Sequence, residues 1–276
     1  MNYEKHNDSK VFRGGGQGNL SSLIGIGAAT KPFCAAERRT VKSGFTLAEV
    51  LITLSIIGVV AAMTLPTLVN KYQSKVLETG FKKSYSNISK AVMYTKTSLG
   101  ESNLHGAYTV YDKENDVYPN AERFYEEFYK SLGKTTKVDC YFVTNYSGTT
   151  KTDRCGWDYP NAVYILGDGS SVGVWINSGI IKLWVDTNGP YKKPNRWGFD
   201  IFQFALADKT DKVLTMKATK EYNEDELEDE VYPWIAGDPC YKSSTQVANG
   251  VGCSWYAMNN INPDDETKTY WDNLPK

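Results

Sequence analysis

The sequence predicts an α+β protein, with one long N-terminal helix packed on an antiparallel β-sheet head. Three observations carry that expectation. A nearly unbroken apolar run, residues 50–69, follows a polar leader. Apolar residues then recur mostly at three- and four-residue steps toward Leu99. Beyond Gly133, short segments rich in Val, Ile, Tyr, Phe and Trp alternate with turn residues.

Residues 1–44 are polar and Gly-rich, as expected of a disordered leader. They hold seven basic against three acidic side chains, net +4, whereas residues 45–276 hold 24 basic against 29 acidic, net −5. Basic residues before a first apolar helix hold that end in the cytoplasm, so the rest of the chain is expected across the membrane. The 20-residue run at 50–69 is long enough to be a membrane span, since the hydrocarbon layer is about 30 Å thick. A secretory signal has a shorter core, about 7–15 residues, with its cleavage site after it. Here a small-residue junction, Ser43-Gly44, comes before the run, so cutting there leaves the helix attached. Glu49 stands inside this helix. A charge at mid-membrane costs about 2.5–3.5 kcal/mol, less near a helix end, so such an acid needs a partner. An uncleaved single-pass anchor is the plainer alternative, but it leaves Glu49 and the Gly44-Phe45 junction without a role.

The stretch Lys42-Ser43-Gly44-Phe45-Thr46-Leu47-Ala48-Glu49, running into the apolar helix, resembles the N-terminal signal of the type IV pilin-like superfamily. That superfamily includes pilins and the pseudopilins of type II secretion systems. The resemblance implies cleavage between Gly44 and Phe45 by prepilin peptidase and N-methylation of Phe45. It implies that Glu49 pairs with the α-amino group of a neighbouring subunit. The implied partners are further copies of the chain, the peptidase and the inner-membrane assembly machinery of a secretion or pilus system. The implied location is a single pass in the inner membrane, head outside the cytoplasm, then a filament. The organisation that follows is a removed leader at 1–44, a membrane and assembly helix at 45–100, and a head at 101–276. A membrane-anchored adhesin or binding module using the same signal is the alternative.

Past the membrane, Tyr72, Val76, Leu77, Phe81, Tyr85, Ile88, Val92 and Met93 form one face for burial against the head. Gly100 suits a C-terminal cap. Pro66 is expected to kink or locally melt the helix, and in pilins a proline near this point is tied to unwinding. A second helix is expected at 120–132, where Phe124, Phe128 and Leu132 are four apart and Gly133 follows. Strands are expected at 138–144, 162–166, 172–176, 180–185 and 201–206. The turns at 167–170 and 177–179 join neighbours as antiparallel hairpins. The acidic stretch 221–230 reads as a solvated face, with a cation or partner patch as its alternative. The segment from Tyr232 onward is expected to be irregular and pinned by a disulfide.

Outside the leader, which holds Cys34, four cysteines remain. Four allow three pairings, and short loops favour Cys140 with Cys155 and Cys240 with Cys253. A four-Cys zinc site is the rival, without CxxC spacing to support it. The loop 185–200 holds Asp186, Asn188, Asn195 and Asp200 around an Asn-Gly-Pro turn. Calcium takes several such hard oxygens, and Asp186, Asn188 and Asp200 are its candidate ligands. The stretch also resembles the late-strand loop of major pseudopilins, where calcium stabilises the head. An ordinary turn with Asp and Asn capping backbone groups is the alternative. No other cofactor is expected. Only two histidines occur, His6 and His105, and no nucleophile-elbow, zincin or phosphate-loop motif is present, so a structural role is expected rather than an enzyme. The acidic balance of residues 45–276 disfavours nucleic acid as a partner.

Overall fold

The computed structural model describes residues 44–138, 141–153, 163–177, 179–207, 209–218 and 239–275. The leader to residue 43, Cys140, Cys155 and the acidic stretch 221–230 lie outside the described residues. The chain divides into two units, 1–53 and 54–276.

Helix α1 spans Leu47–Leu99. It is the one described helix long and apolar enough to cross a membrane by length and composition, with a mean hydropathy of 2.2 over its most apolar window. Its α-helical backbone runs unbroken through Pro66, so the expected local melting is absent from the single chain. Proline removes one intrahelical hydrogen bond, which the flanking turns can bridge. Downstream, Phe81, Ser84, Ile88, Ala91, Val92, Thr95 and Leu99 are buried, a stripe at three- and four-residue steps. Leu77 and Tyr85 pack partly against the same core. Tyr72, Val76 and Met93, expected on that face, are instead exposed. The first two precede the first fully buried residue, Phe81, and Met93 falls between core-facing turns.

Helix α1 ends as Gly100 suggested. Gly100 has φ 71°, its N–H donates to Thr97 O at 3.2 Å, and the Glu101 N–H donates to Lys96 O at 3.2 Å. These two bonds form a Schellman motif, which satisfies otherwise orphan carbonyls. A short helix, α2 (Leu104–Tyr108), follows. Asp211 ties both helices to the sheet. Its carboxylate accepts from Lys96 Nζ at 2.7 Å, from Leu104 N at 2.9 Å and from His105 N at 3.1 Å.

Helix α3 spans Ala121–Ser131 and buries Phe124, Tyr125, Phe128 and Tyr129. The main sheet has six strands: β1 (Lys134–Val138), β4 (Val163–Leu166), β5 (Ser171–Asn177), β6 (Ile180–Asp186), β7 (Ile201–Leu206) and β8 (Val213–Thr215). They lie in that order, and every pairing is antiparallel. A two-stranded sheet pairs β2 (Phe142–Thr144) with β3 (Lys151–Asp153). The single strand expected at 138–144 is therefore two strand ends in different sheets.

Strand β5 pairs with β4 only at its start, through Val172 and Ser171. Beyond that point its backbone needs other partners, and a row of tyrosines supplies them. Val174 N donates to Tyr129 Oη at 3.0 Å, Ile176 N to Tyr125 Oη at 3.0 Å, and Gly179 N to Tyr118 Oη at 3.0 Å. The main core lies between this sheet and the helices. Phe81 of α1 packs on Phe202, with ring centroids 4.5 Å apart, and Tyr85 donates its hydroxyl to Val213 O at 2.9 Å. The expected pair Cys240–Cys253 is joined and fully buried. The C-terminal segment is not wholly irregular: a 3-10 turn (Val251–Cys253) leads into the second cysteine, and α4 (Ser254–Asn259) and another 3-10 turn (Trp271–Asn273) follow it.

Candidate functional site

The first site is the start of α1. Gly44, Phe45 and Thr46 precede the helix, and Phe45 and Leu47 are exposed. Thr46 and Glu49 satisfy each other. The Thr46 hydroxyl donates to Glu49 Oε2 at 2.7 Å, Thr46 N donates to the same oxygen at 2.8 Å, and Glu49 N donates to Thr46 Oγ1 at 3.2 Å. This is a capping box, Thr-x-x-Glu, in which helix cap and third helical residue exchange hydrogen bonds. Glu49 is thus not bare in the single chain, and its expected cost in lipid is lowered by a local partner. The Thr46-to-Glu49 spacing is the sequence signal for that partnership.

The second site is the loop between β6 and β7. Its ends are closed by Thr187 N donating to Asp200 O at 2.8 Å. The loop turns at Gly189, where φ is 86°. A Cβ there would lie 2.1 Å from Gly169 O, so only glycine fits against the β4–β5 turn. Asp186 and Asp200 have no exposed surface. Asp186 Oδ1 accepts from Gly189 N at 2.8 Å and Asn188 N at 3.2 Å. Asp200 accepts from Arg196 N at 2.7 Å, Asn195 N at 2.8 Å and the Asn188 side-chain amide at 3.2 Å. Ion pairs among the described residues do not reach either carboxylate. The nearby Arg196 guanidinium instead donates to Tyr146 O, at 2.6 Å from one terminal nitrogen, and stacks over Phe199.

Two buried acids without an ion-pair partner are expensive unless protonated or bound to a cation. Burial and the Asp200 charge push the Asp186 carboxyl up, and burial pushes Asp200 up. Three buried oxygens in the same loop also lack hydrogen-bond partners: Asp186 Oδ2, Asn188 Oδ1 and Asn195 Oδ1. Together with Asp200 they form a set of hard oxygen donors, the kind calcium takes. The residues therefore fit the calcium expectation. Asn195, secondary in the sequence reading, contributes an orphan oxygen as Asn188 does. No group of three or more His, Cys, Asp or Glu side chains clusters among the described residues, so the donor set depends on the two amides. The loop also lies against α1: a Cβ on Gly80 would be 3.3 Å from Thr187 Cβ.

Two family models match the chain. One, described as the prokaryotic N-terminal methylation motif, matches residues 39–65, which include Gly44, Phe45 and Glu49. With the long apolar helix and the antiparallel sheet, it marks the chain as a type IV pilin-like prepilin, a class of peptidase-processed structural subunits. The chain belongs to a family of unknown function (DUF6613), whose model matches residues 67–266. No curated protein and no solved structure matches it.

Proposed function

We propose that this prepilin is a filament subunit of a type II secretion or type IV pilus-like system. Prepilin peptidase cuts between Gly44 and Phe45, removing 1–44, and Phe45 is N-methylated. Residues 45–100 then serve as membrane and assembly helix, and 101–276 as a head outside the cytoplasm. The observation that supports this most is Glu49, one acid at the head of an exposed apolar helix and held there by Thr46. Cutting creates a cation at Phe45, four residues before Glu49 in the chain. A neighbour's α-amino group can then take the Glu49 oxygens, while Leu47, Val50, Leu51 and Leu54 pack helix on helix. The membrane-anchored binding module is the second reading, and self-assembly in native membranes separates the two.

The β6–β7 loop is proposed to hold calcium through Asp186, Asn188 and Asp200, with Asn195 beside them. The cation replaces the protons that the buried acids otherwise keep and fixes the loop against α1. Calorimetric titration of the full chain with calcium and with magnesium tests this. Magnesium demands a tighter octahedral shell and sheds water reluctantly, so binding of calcium alone is expected. Absence of calcium binding refutes the assignment.

A further inference from the structure

A second cleft lies far from the β6–β7 loop. The loop abuts Gly80 of α1, whereas this cleft is built by residues after α2 and by the β5–β6 turn. It has a volume of about 570 Å³ and is lined by Thr109, Tyr111, Asp116, Tyr118, Trp175 and Asn177, among others. Strand β6 (Ile180–Asp186) separates the two, with the cleft at its start and the loop at its end.

Its walls are fixed by local chemistry. Asp112 and Val117 form an antiparallel bridge, and Asp112 Oδ1 accepts from Glu114 N at 2.9 Å, closing the tip. Tyr118 is held by the Gly179 N–H. Tyr111 sits beside it, with ring centroids 5.1 Å apart and planes inclined by 51°, and its hydroxyl donates to Asp116. Tyr111 is 41% exposed, and Trp175 is half-buried. Three aromatic side chains therefore line a rim that also carries a carboxylate, an amide and a hydroxyl.

We propose that this cleft binds a neutral saccharide. Aromatic rings offer flat apolar surfaces at low conformational cost, and their polar edges tolerate water. A sugar ring has matching C–H faces, with hydroxyls that both donate and accept. Asp116 and Asn177 meet those hydroxyls with acceptor and donor groups. An anionic ligand is disfavoured by the Asp116 carboxylate in the lining. A wholly apolar ligand would strip water from the Asp116 carboxylate and leave it only the Tyr111 hydroxyl. The volume suits a small ligand.

The test uses the full chain in detergent on an array of short neutral oligosaccharides of glucose, galactose, mannose and N-acetylglucosamine. Hits are followed by tryptophan fluorescence titration. Binding is expected to at least one of these, with a fluorescence change from Trp175. Tyr111→Ala and Trp175→Ala are each expected to weaken it roughly two- to tenfold, the equivalent of about 0.5–1.5 kcal/mol for an aromatic contact. Tyr111 is exposed, so its variant keeps the fold even if the Trp175 variant does not. Absence of binding to every array member, or binding unchanged in Tyr111→Ala, overturns the proposal. Binding is expected of the uncleaved chain as well, so the result is independent of processing at Gly44.

Discussion

Thr46 and Glu49 close a reciprocal pair at the head of α1, the threonine hydroxyl donating to Glu49 Oε2 at 2.7 Å and the Glu49 N–H returning to Thr46 Oγ1 at 3.2 Å. The carboxylate therefore has two possible occupations, a local cap and an intermolecular ion pair. Substitutions separate them. Gln serves in a capping box as Glu does, so Glu49→Gln keeps the cap and removes the charge. That variant is expected to insert in the membrane normally yet yield few or no filaments in sheared surface fractions. Thr46→Ala should lose only the cap, about 1 kcal/mol, and reduce filament yield less. Normal yield from Glu49→Gln would sink the ion-pair role.

The β6–β7 loop gives a second prediction. With calcium at about 100 times its dissociation constant, mass action adds about 2.7 kcal/mol of stability. A rise in Tm of the full chain on adding calcium is expected, and it should vanish in Asp186→Asn and Asp200→Asn. Equal shifts in those variants would place the cation elsewhere.

A third prediction concerns pH. Burial raises the Asp186 carboxyl, with Asp200 adding to the effect, and burial raises Asp200. A raised acid binds its proton more tightly when folded than when unfolded. Without calcium, its contribution is therefore fully present below the unfolded value, about 3.9 for Asp. It is lost as pH rises toward and through the raised folded values. With calcium bound the loss disappears, so the gap in Tm between calcium and chelator should widen with pH. A gap that narrows as pH rises would contradict the burial of unpaired acids.

The fourth prediction concerns the anchor of α1. Asp211 is 5% exposed and accepts from Lys96, Leu104 and His105. Asp211→Ala leaves two backbone donors and a lysine without it, and should cost about 2–4 kcal/mol. Lys96→Met keeps the aliphatic stem and the two backbone bonds, so a smaller loss is expected. Urea denaturation of both variants checks the order, and equal losses would assign the effect to the ion pair alone.

Much of this architecture was legible in local patterns. The cap at Gly100, α3 and the β4–β5–β6 hairpins rest on short-range rules, and the described backbone follows them. What escaped depended on distant partners. Asp211 caps a helix more than a hundred positions away in the chain, a relation no periodicity encodes. The 138–144 segment reads as one strand because β propensity cannot see that its ends join different sheets. Tyr72, Val76 and Met93 fit the helical period, but exposure is decided by where the sheet sits. At the β6–β7 loop, residue types pointed to oxygen donors, while the lack of an ion-pair partner emerged only from the direction Arg196 takes. The Thr46–Glu49 box is encoded in its Thr-x-x-Glu spacing, while the membrane cost of the acid points to a partner outside the chain.

The central claim is processing at Gly44, and intact-mass and N-terminal peptide mass spectrometry of protein from the native membrane tests it most directly. The account predicts a chain beginning at N-methylated Phe45. A chain beginning at Met1, or one cut after the apolar run, would contradict it.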